Sequence, residues 1–211
     1  MNKVTMSGND GLWARIRAAL GRPDAHVPAY GQAAIAQNPN KKPRHAQRID
    51  DELRRGWTYC AERNVSLCVM TLEFDLYAAY FAAYGRESVE QALGALEGTV
   101  TPLLPRDSYR CLRHGRAGFV LVMPDMPALM ARELASRIAA AIRQLGLVNR
   151  ESHAGQVTMS TGIAVTNPQG KFERVVLEQA NDAVKKAQRR GIARLEVVDL
   201  RGRDEKRRKA A

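Results

Sequence analysis

No stretch of this 211-residue chain approaches the ~18 consecutive apolar residues that a membrane-crossing helix needs, and no signal-peptide apolar core opens it. A cytoplasmic protein is expected, with any membrane link peripheral or through a partner. Cysteine is scarce: Cys60, Cys68 and Cys111 form no C-x-x-C pair, and two of them lie on apolar, strand-like runs. They read as buried thiols in a reducing compartment. The phosphate-binding P-loop, the H-E-x-x-H zinc pair and the Rossmann glycine pattern are all missing, which removes the commonest sequence-readable nucleotide and zinc sites. There is no internal repeat.

Acidic charge is scarce only at the two ends. The formal net charge is +11, but residues 1–49 hold eight Lys/Arg against two Asp, and residues 201–211 hold six against two acids. Residues 50–200 carry nineteen basic against eighteen acidic side chains and are close to neutral. Basic ends of this kind attract any polyanion without specificity. The central region shows no interleaving of aromatic and basic residues of the kind that reads bases, so no specific nucleic-acid binding is expected.

What is present divides the chain into four parts. Apolar residues at Leu12, Trp13, Ile16, Ala19 and Leu20 follow helical spacing, so residues 1–22 are expected to hold a short amphipathic helix. Asn9 or Asp10 can cap it, and Gly21 with Pro23 ends it. Leu12, Trp13, Ile16 and Leu20 form its candidate docking face, whether for a partner, for its own domain or for a membrane surface. Residues 23–47, with Pro28, Gly31, Asn38-Pro39-Asn40 and Pro43, read as a linker. Residues 48–199 alternate strand-like runs with long amphipathic helices, and 200–211 form a basic tail. The spacing predicts helices at 48–63, 76–83, 86–103, 126–145 and 174–190, with strands at 65–74, 109–114, 118–123, 156–165 and 193–198. One sheet packed with helices, an α/β or α+β layer domain, is the expected fold class.

Within that domain Arg113-His114-Gly115-Arg116-Ala117-Gly118-Phe119 runs into the apolar Val120-Leu121-Val122-Met123. This segment resembles the signature hairpin of the diguanylate cyclase, or GGDEF, family, in which Gly-Gly-Asp/Glu-Glu-Phe precedes such a strand. The resemblance extends over roughly 50–199. The family's Asp-x-Asp-x-Phe-Lys-x-x-Asn-Asp-x-x-Gly block falls without a gap on Glu73 through Gly85. Val157-Thr158-Met159-Ser160-Thr161-Gly162-Ile163-Ala164 is similar to its Val-Thr-x-Ser-x-Gly-Ile-Ala strand, and Ala180 to Gly191 resembles its closing helix.

The resemblance implies a mixed, palm-like nucleotide-cyclase sheet and a chemistry whose groups are largely replaced. Joining two GTP molecules needs metal ions on the phosphates and a base near the attacking hydroxyl. The family's metal-binding acids map to Glu73, which keeps a carboxylate, and to Ala117; the further hairpin acid maps to Gly118. The guanine-reading positions map to Phe81 and Glu90, and the phosphate-contacting cations to Ala78, Gln188 and Ile192. Glu73, Gly115, Arg116, Ala117, Gly118 and Phe119 therefore mark a degenerate site with no catalytic residue, metal or cofactor expected. Glu73 and Asp75 share one strand face by period two; solvent or a helix N-terminus is the expected destination of their carboxylates. His114 reads as a surface residue of the turn. Tyr77, Tyr80, Phe81 and Tyr84 are expected to fill the former nucleotide pocket or to offer a surface to a partner.

The implied function is a catalytically inactive regulator that binds another protein in a cyclic di-GMP-related bacterial pathway, such as exopolysaccharide or biofilm control. The alternative is a cyclic di-GMP receptor. The family's inhibitory Arg-x-x-Asp maps to Arg106 and Tyr109, and Arg110 and Arg113 lie close by in sequence. An active diguanylate cyclase is the reading that the missing acids argue against.

Overall fold

The computed structural model describes residues 45–201. The elements run α1 (His45–Arg63), β1 (Leu67–Phe74), α2 (Tyr77–Val100), a 3-10 turn (Thr101–Leu103), β2 (Arg110–His114), β3 (Gly118–Pro124), α3 (Ala128–Leu145), β4 (Met159–Thr166), α4 (Val175–Arg189) and β5 (Leu195–Asp199). The expected helix over 1–22 and the tail beyond Arg201 lie outside the described residues. Two expected boundaries shift. Helix α1 begins at His45, inside the expected linker, because Ala46 and Gln47 are adequate helix formers. Leu200, placed in the tail, is buried, and its N–H donates to the Val165 carbonyl, extending the domain beyond β5.

The five strands form one sheet in the order β2-β3-β1-β4-β5, antiparallel except for the β4–β5 pair, which α4 connects. Strand β1 lies at the centre and is covered on both faces, which is why Leu67-Cys68-Val69-Met70-Thr71-Leu72 reads as a continuous run without polar alternation. Alternate residues feed two separate cores. Cys68, Met70, Leu72, Phe119 and Leu121 pack with α2 and α3, whereas Leu67, Val69, Val120 and Val122 pack with α1 and α4.

Helix α2 contains the break expected between residues 83 and 86. Gly85 has φ 76° and ψ −179°, which bends the element into two helical segments. On the opposite face α4 approaches the sheet closely at Gly162, where a Cβ would overlap the Ala180 carbonyl oxygen and the Val184 nitrogen. Thr71 Oγ1 donates to that same Ala180 carbonyl at 2.8 Å, so the one hydroxyl in the core of β1 is satisfied by the helix above it. Trp57 holds α1 to the loop after β4, donating through Nε1 to the Gly170 carbonyl at 3.3 Å and meeting Phe172 edge-on.

Gly162→Ala is expected to destabilise the domain by about 3 kcal/mol or more, because the colliding atoms are backbone and cannot rotate away. Chemical denaturation checks it; a midpoint within experimental error of wild type would refute the close α4 contact.

Candidate functional site

The block from Glu73 to Gly85 carries the end of β1 into the first turn of α2. Leu76, the residue preceding that helix, sits at φ 56° and is 43% exposed, an uncommon conformation for a branched side chain. Asp75 is buried at 3% exposure and holds the turn together. Its carboxylate accepts hydrogen bonds from Thr158 Oγ1 at 2.8 Å, Ser160 Oγ at 2.6 Å and the Ala193 N–H at 2.8 Å. Its own N–H donates to the Thr158 carbonyl at 3.0 Å. The expectation that this acid meets solvent or a helix N-terminus is therefore corrected. Three converging donors make its burial tolerable, and the sequence reading missed it because those donors come from β4 and from the loop after α4.

Glu73 is half-buried and lines an open cleft of about 430 Å³ together with Leu76, Tyr77, Ala78, Gln188 and Ile192. Ala78, Gln188 and Ile192, the positions that the resemblance maps to phosphate contact, line one cleft and supply no cation. The hairpin stands beside this cleft. Gly115 turns the chain at φ 59°, Gly118 pairs with both His114 and Glu73, and the Ala117 carbonyl accepts the Phe74 N–H at 3.0 Å. Phe119 is fully buried and Ala117 packs partly against the core. His114 is half-buried at the end of β2.

The Mg²⁺ that the family implies does not fit this donor set. Hard divalent cations take carboxylate and other oxygens. Here Glu73 offers one carboxylate, that of Asp75 already accepts three hydrogen bonds, and Ala117 and Gly118 have no side-chain oxygen. Among the described residues, no three His, Cys, Asp or Glu side chains come together as a metal-binding group.

The aromatic residues divide. Tyr80 is buried against Phe74 and stacks on Tyr84 with centroids 4.5 Å apart, while Tyr84 Oη accepts the Arg150 N–H. Phe81, at the former guanine-reading position, is 44% exposed and touches Tyr77 at the cleft mouth. Pocket filling thus describes Tyr80 and, in part, Tyr77 and Tyr84, whereas Phe81 remains on the surface.

The basic edge splits as well. Arg106 and Arg110 line a cleft of about 370 Å³ with Arg55 and Tyr59 of α1. Arg106 donates from both terminal nitrogens to Asp125 Oδ2 at 3.1 Å, and this bond raises the pKa of its guanidinium. Tyr109 is buried beneath it, donating Oη–H to the Pro124 carbonyl at 3.0 Å; burial raises its pKa. Arg110 donates to the Asp107 and Tyr109 carbonyls, and Arg55 pairs with Glu52. Arg113 does not join them. It pairs with Glu97 at 3.2 Å and Glu90 at 3.5 Å on α2 and lies over the Phe119 ring. Cys111, beside it on β2, has a thiol pushed up to about 12 by burial; Glu97 adds to the shift and Arg113 opposes it.

A family model described as "Diguanylate cyclase, GGDEF domain" matches residues 45–194. No curated protein sequence matches the chain. The fold is similar to the GGDEF domain of DgcB from Caulobacter crescentus in complex with c-di-GMP, at 22% identity and TM-score 0.62, covering 71% of this chain and 85% of that one. It is also similar to the active GGEEF domain of a diguanylate cyclase from Vibrio cholerae, at 15% identity and TM-score 0.60, covering 70% and 92%. The diguanylate cyclase SiaD from Pseudomonas aeruginosa, solved with its activator SiaC, matches at 18% identity and TM-score 0.64, covering 89% and 68%.

Asp75→Ala is expected to cost about 3–5 kcal/mol, since it strands two hydroxyls and a backbone N–H, while Asp75→Asn costs less because one carbonyl oxygen remains. Thermal and urea unfolding measure both. Equal stability of the two variants and wild type would remove Asp75 from its structural role.

Proposed function

The chain belongs to the diguanylate cyclase GGDEF domain family, and from that premise we propose that it is a catalytically inactive member that regulates by binding another protein. The observation that carries this reading is the pair Ala117 and Gly118 at the two acidic positions of the hairpin. A Cβ at 118 would stand 2.7 Å from the Leu72 carbonyl oxygen and 3.4 Å from Glu73 Cγ, so this backbone has no room for the missing side chain. The cleft beside it offers a triphosphate no cation from Ala78, Gln188 or Ile192, and charge-assisted bonds supply much of the affinity for phosphate groups.

The regulatory half of the proposal assigns the partner to the segment around Leu12, Trp13, Ile16 and Leu20, carried by a linker that starts at residue 23 and ends before His45, ahead of a domain that includes Leu200 and is followed by a basic tail. The activator bound to SiaD is a precedent, in the same fold, for a protein partner. The pathway proposed is a cytoplasmic, cyclic di-GMP-related one, with exopolysaccharide or biofilm control as its output class.

The second reading, a cyclic di-GMP receptor, is favoured by one observation: Arg106 and Arg110 share a concave surface with Arg55 and Tyr59. Against it, all three arginines already have protein partners, and Tyr109 turns its hydroxyl inward. A ligand there would have to displace Asp125 from Arg106 before gaining a bidentate contact of its own.

Purified protein incubated with GTP and Mg²⁺ or Mn²⁺ is expected to form no cyclic di-GMP by chromatography, and the double variant Ala117→Asp/Gly118→Glu should not restore synthesis. Product that disappears with Glu73→Ala would overturn the inactive assignment. In calorimetry, cyclic di-GMP should give no heat. Low-micromolar binding, about −8 kcal/mol, that is lost in Arg106→Ala would reverse the order of the two readings.

A further inference from the structure

A third cleft, of about 220 Å³, lies between α3 and the start of β5, across the 191–194 loop from the Glu73 cleft. Its rim carries Arg143, Arg194 and Ser136, and its interior Thr161, Ala139 and Met159. We propose that this cleft binds the phosphoryl group of a phosphate monoester.

Charge separates this cleft from the others. No acidic residue lines it, and among the described residues neither Arg143 nor Arg194 forms an ion pair. In the second cleft Arg106 and Arg55 pair with Asp125 and Glu52, and the Glu73 cleft has no cation in its lining. Two guanidinium groups sharing a concave surface repel each other unless an anion lies between them.

The cleft is also held in place. The Arg194 carbonyl accepts the Thr161 N–H at 2.8 Å, its own N–H lies 3.4 Å from Ser160 Oγ, and the preceding residue, Ala193, donates to Asp75. The base of the Arg194 side chain is therefore fixed by the Asp75 network, which lowers the ordering cost of binding. Thr161 is only 5% exposed yet lines the cleft, offering a hydroxyl at its base. Ser136 Oγ donates to the Arg132 carbonyl at 3.1 Å and turns toward a ligand only by giving up that bond.

Stoichiometry of charge and donors selects the ligand class. Two guanidinium forks bring two positive charges and several N–H donors in fixed planes. A phosphate monoester brings nearly two negative charges and three terminal oxygens, whereas a carboxylate brings one charge and two oxygens. The apolar floor at Ala139 and Met159 suits the carbon side of the ester. A small phosphorylated molecule and a phosphorylated side chain present the same group.

The test is an NMR titration of the full-length ¹⁵N-labelled protein at constant ionic strength with phenyl phosphate, benzoate, and a phosphoserine peptide beside its unmodified form. Phenyl phosphate should saturate shifts of the Ser136, Arg143, Thr161 and Arg194 amides. Affinity should fall at least ten-fold in Arg143→Ala and in Arg194→Ala and less in the lysine variants, and benzoate should bind at least ten-fold more weakly. Tighter binding of the phosphoserine peptide than of phenyl phosphate would identify a modified protein as the source; the reverse order would identify a small molecule. Both arginines are exposed, so the alanine variants should melt as wild type does; if one does not, the matching glutamine variant takes its place. The proposal is overturned by the absence of saturable shifts, by equal affinity for benzoate, or by binding that persists in the Arg143→Ala/Arg194→Ala double variant, which would place it on the basic chain ends.

Discussion

The carboxylate of Asp75 fastens three distant pieces of chain at one point: the end of β1, the start of β4 and the loop that leads into β5. Each of the three donors it accepts from would otherwise be a buried or half-buried polar group without a partner, so the cost of removing the acid is spread over all three segments. The cleft beside Glu73 and the cleft beside Arg194 lie on either side of the loop that this carboxylate anchors. Geometry at both therefore depends on Asp75, which itself lines the first of them. An acid at this place in a cyclase-like sequence invites a catalytic reading; in this chain its oxygens are fully occupied with holding the fold.

The hairpin shows the complementary case, a frame set by packing and backbone geometry around positions 117 and 118, which carry no side-chain oxygen. Phe119 is fully buried, Gly115 adopts φ 59° at the turn, and β3 runs in register beside β1. These are packing and backbone requirements, and they persist whether or not an acid follows the turn. Ala117 and Gly118 answer to different constraints. Position 117 packs against the core and position 118 lies under the Leu72 carbonyl. Arg113 follows the same logic: once Glu90 and Glu97 stand over it, its guanidinium is committed to α2 and no longer serves the edge that carries Arg106.

Most of the fold was legible in the sequence because it is written in local periodicity. The strand over 65–74, the break near Gly85 and the hairpin were all placed within a few residues, since alternation, a positive-φ glycine and a turn are short-range signals. The site was less legible, because its decisive contacts are long-range. The side-chain partners of Asp75 lie 83 and 85 residues away and its backbone partner 118 residues away, beyond the reach of any spacing rule. The four residues grouped as a ligand edge, Arg106, Tyr109, Arg110 and Arg113, lie close in sequence but separate in space, because β2 presents Arg113 to α2 while the loop before it faces α1. Sequence proximity suggested a cluster that strand geometry divides.

Arginine commitment distinguishes the three clefts more sharply than their size does. The Glu73 cleft has carboxylates and no cation, and in the Arg106 cleft Arg106 and Arg55 are paired with Asp125 and Glu52 while Arg110 is hydrogen-bonded to backbone carbonyls beside Glu52. The Arg194 cleft alone among these combines two cations with no acid in its lining. Both of these arginines are exposed and hydrated, so an anion placed between them gains from two charges that no protein carboxylate already holds. The Glu73 cleft, whose lining has carboxylates and no cation, offers an anion no such contact. The proposed phosphoryl site lies on the other side of the loop that Asp75 secures, in the cleft whose lining offers an anion two cations free of carboxylate partners.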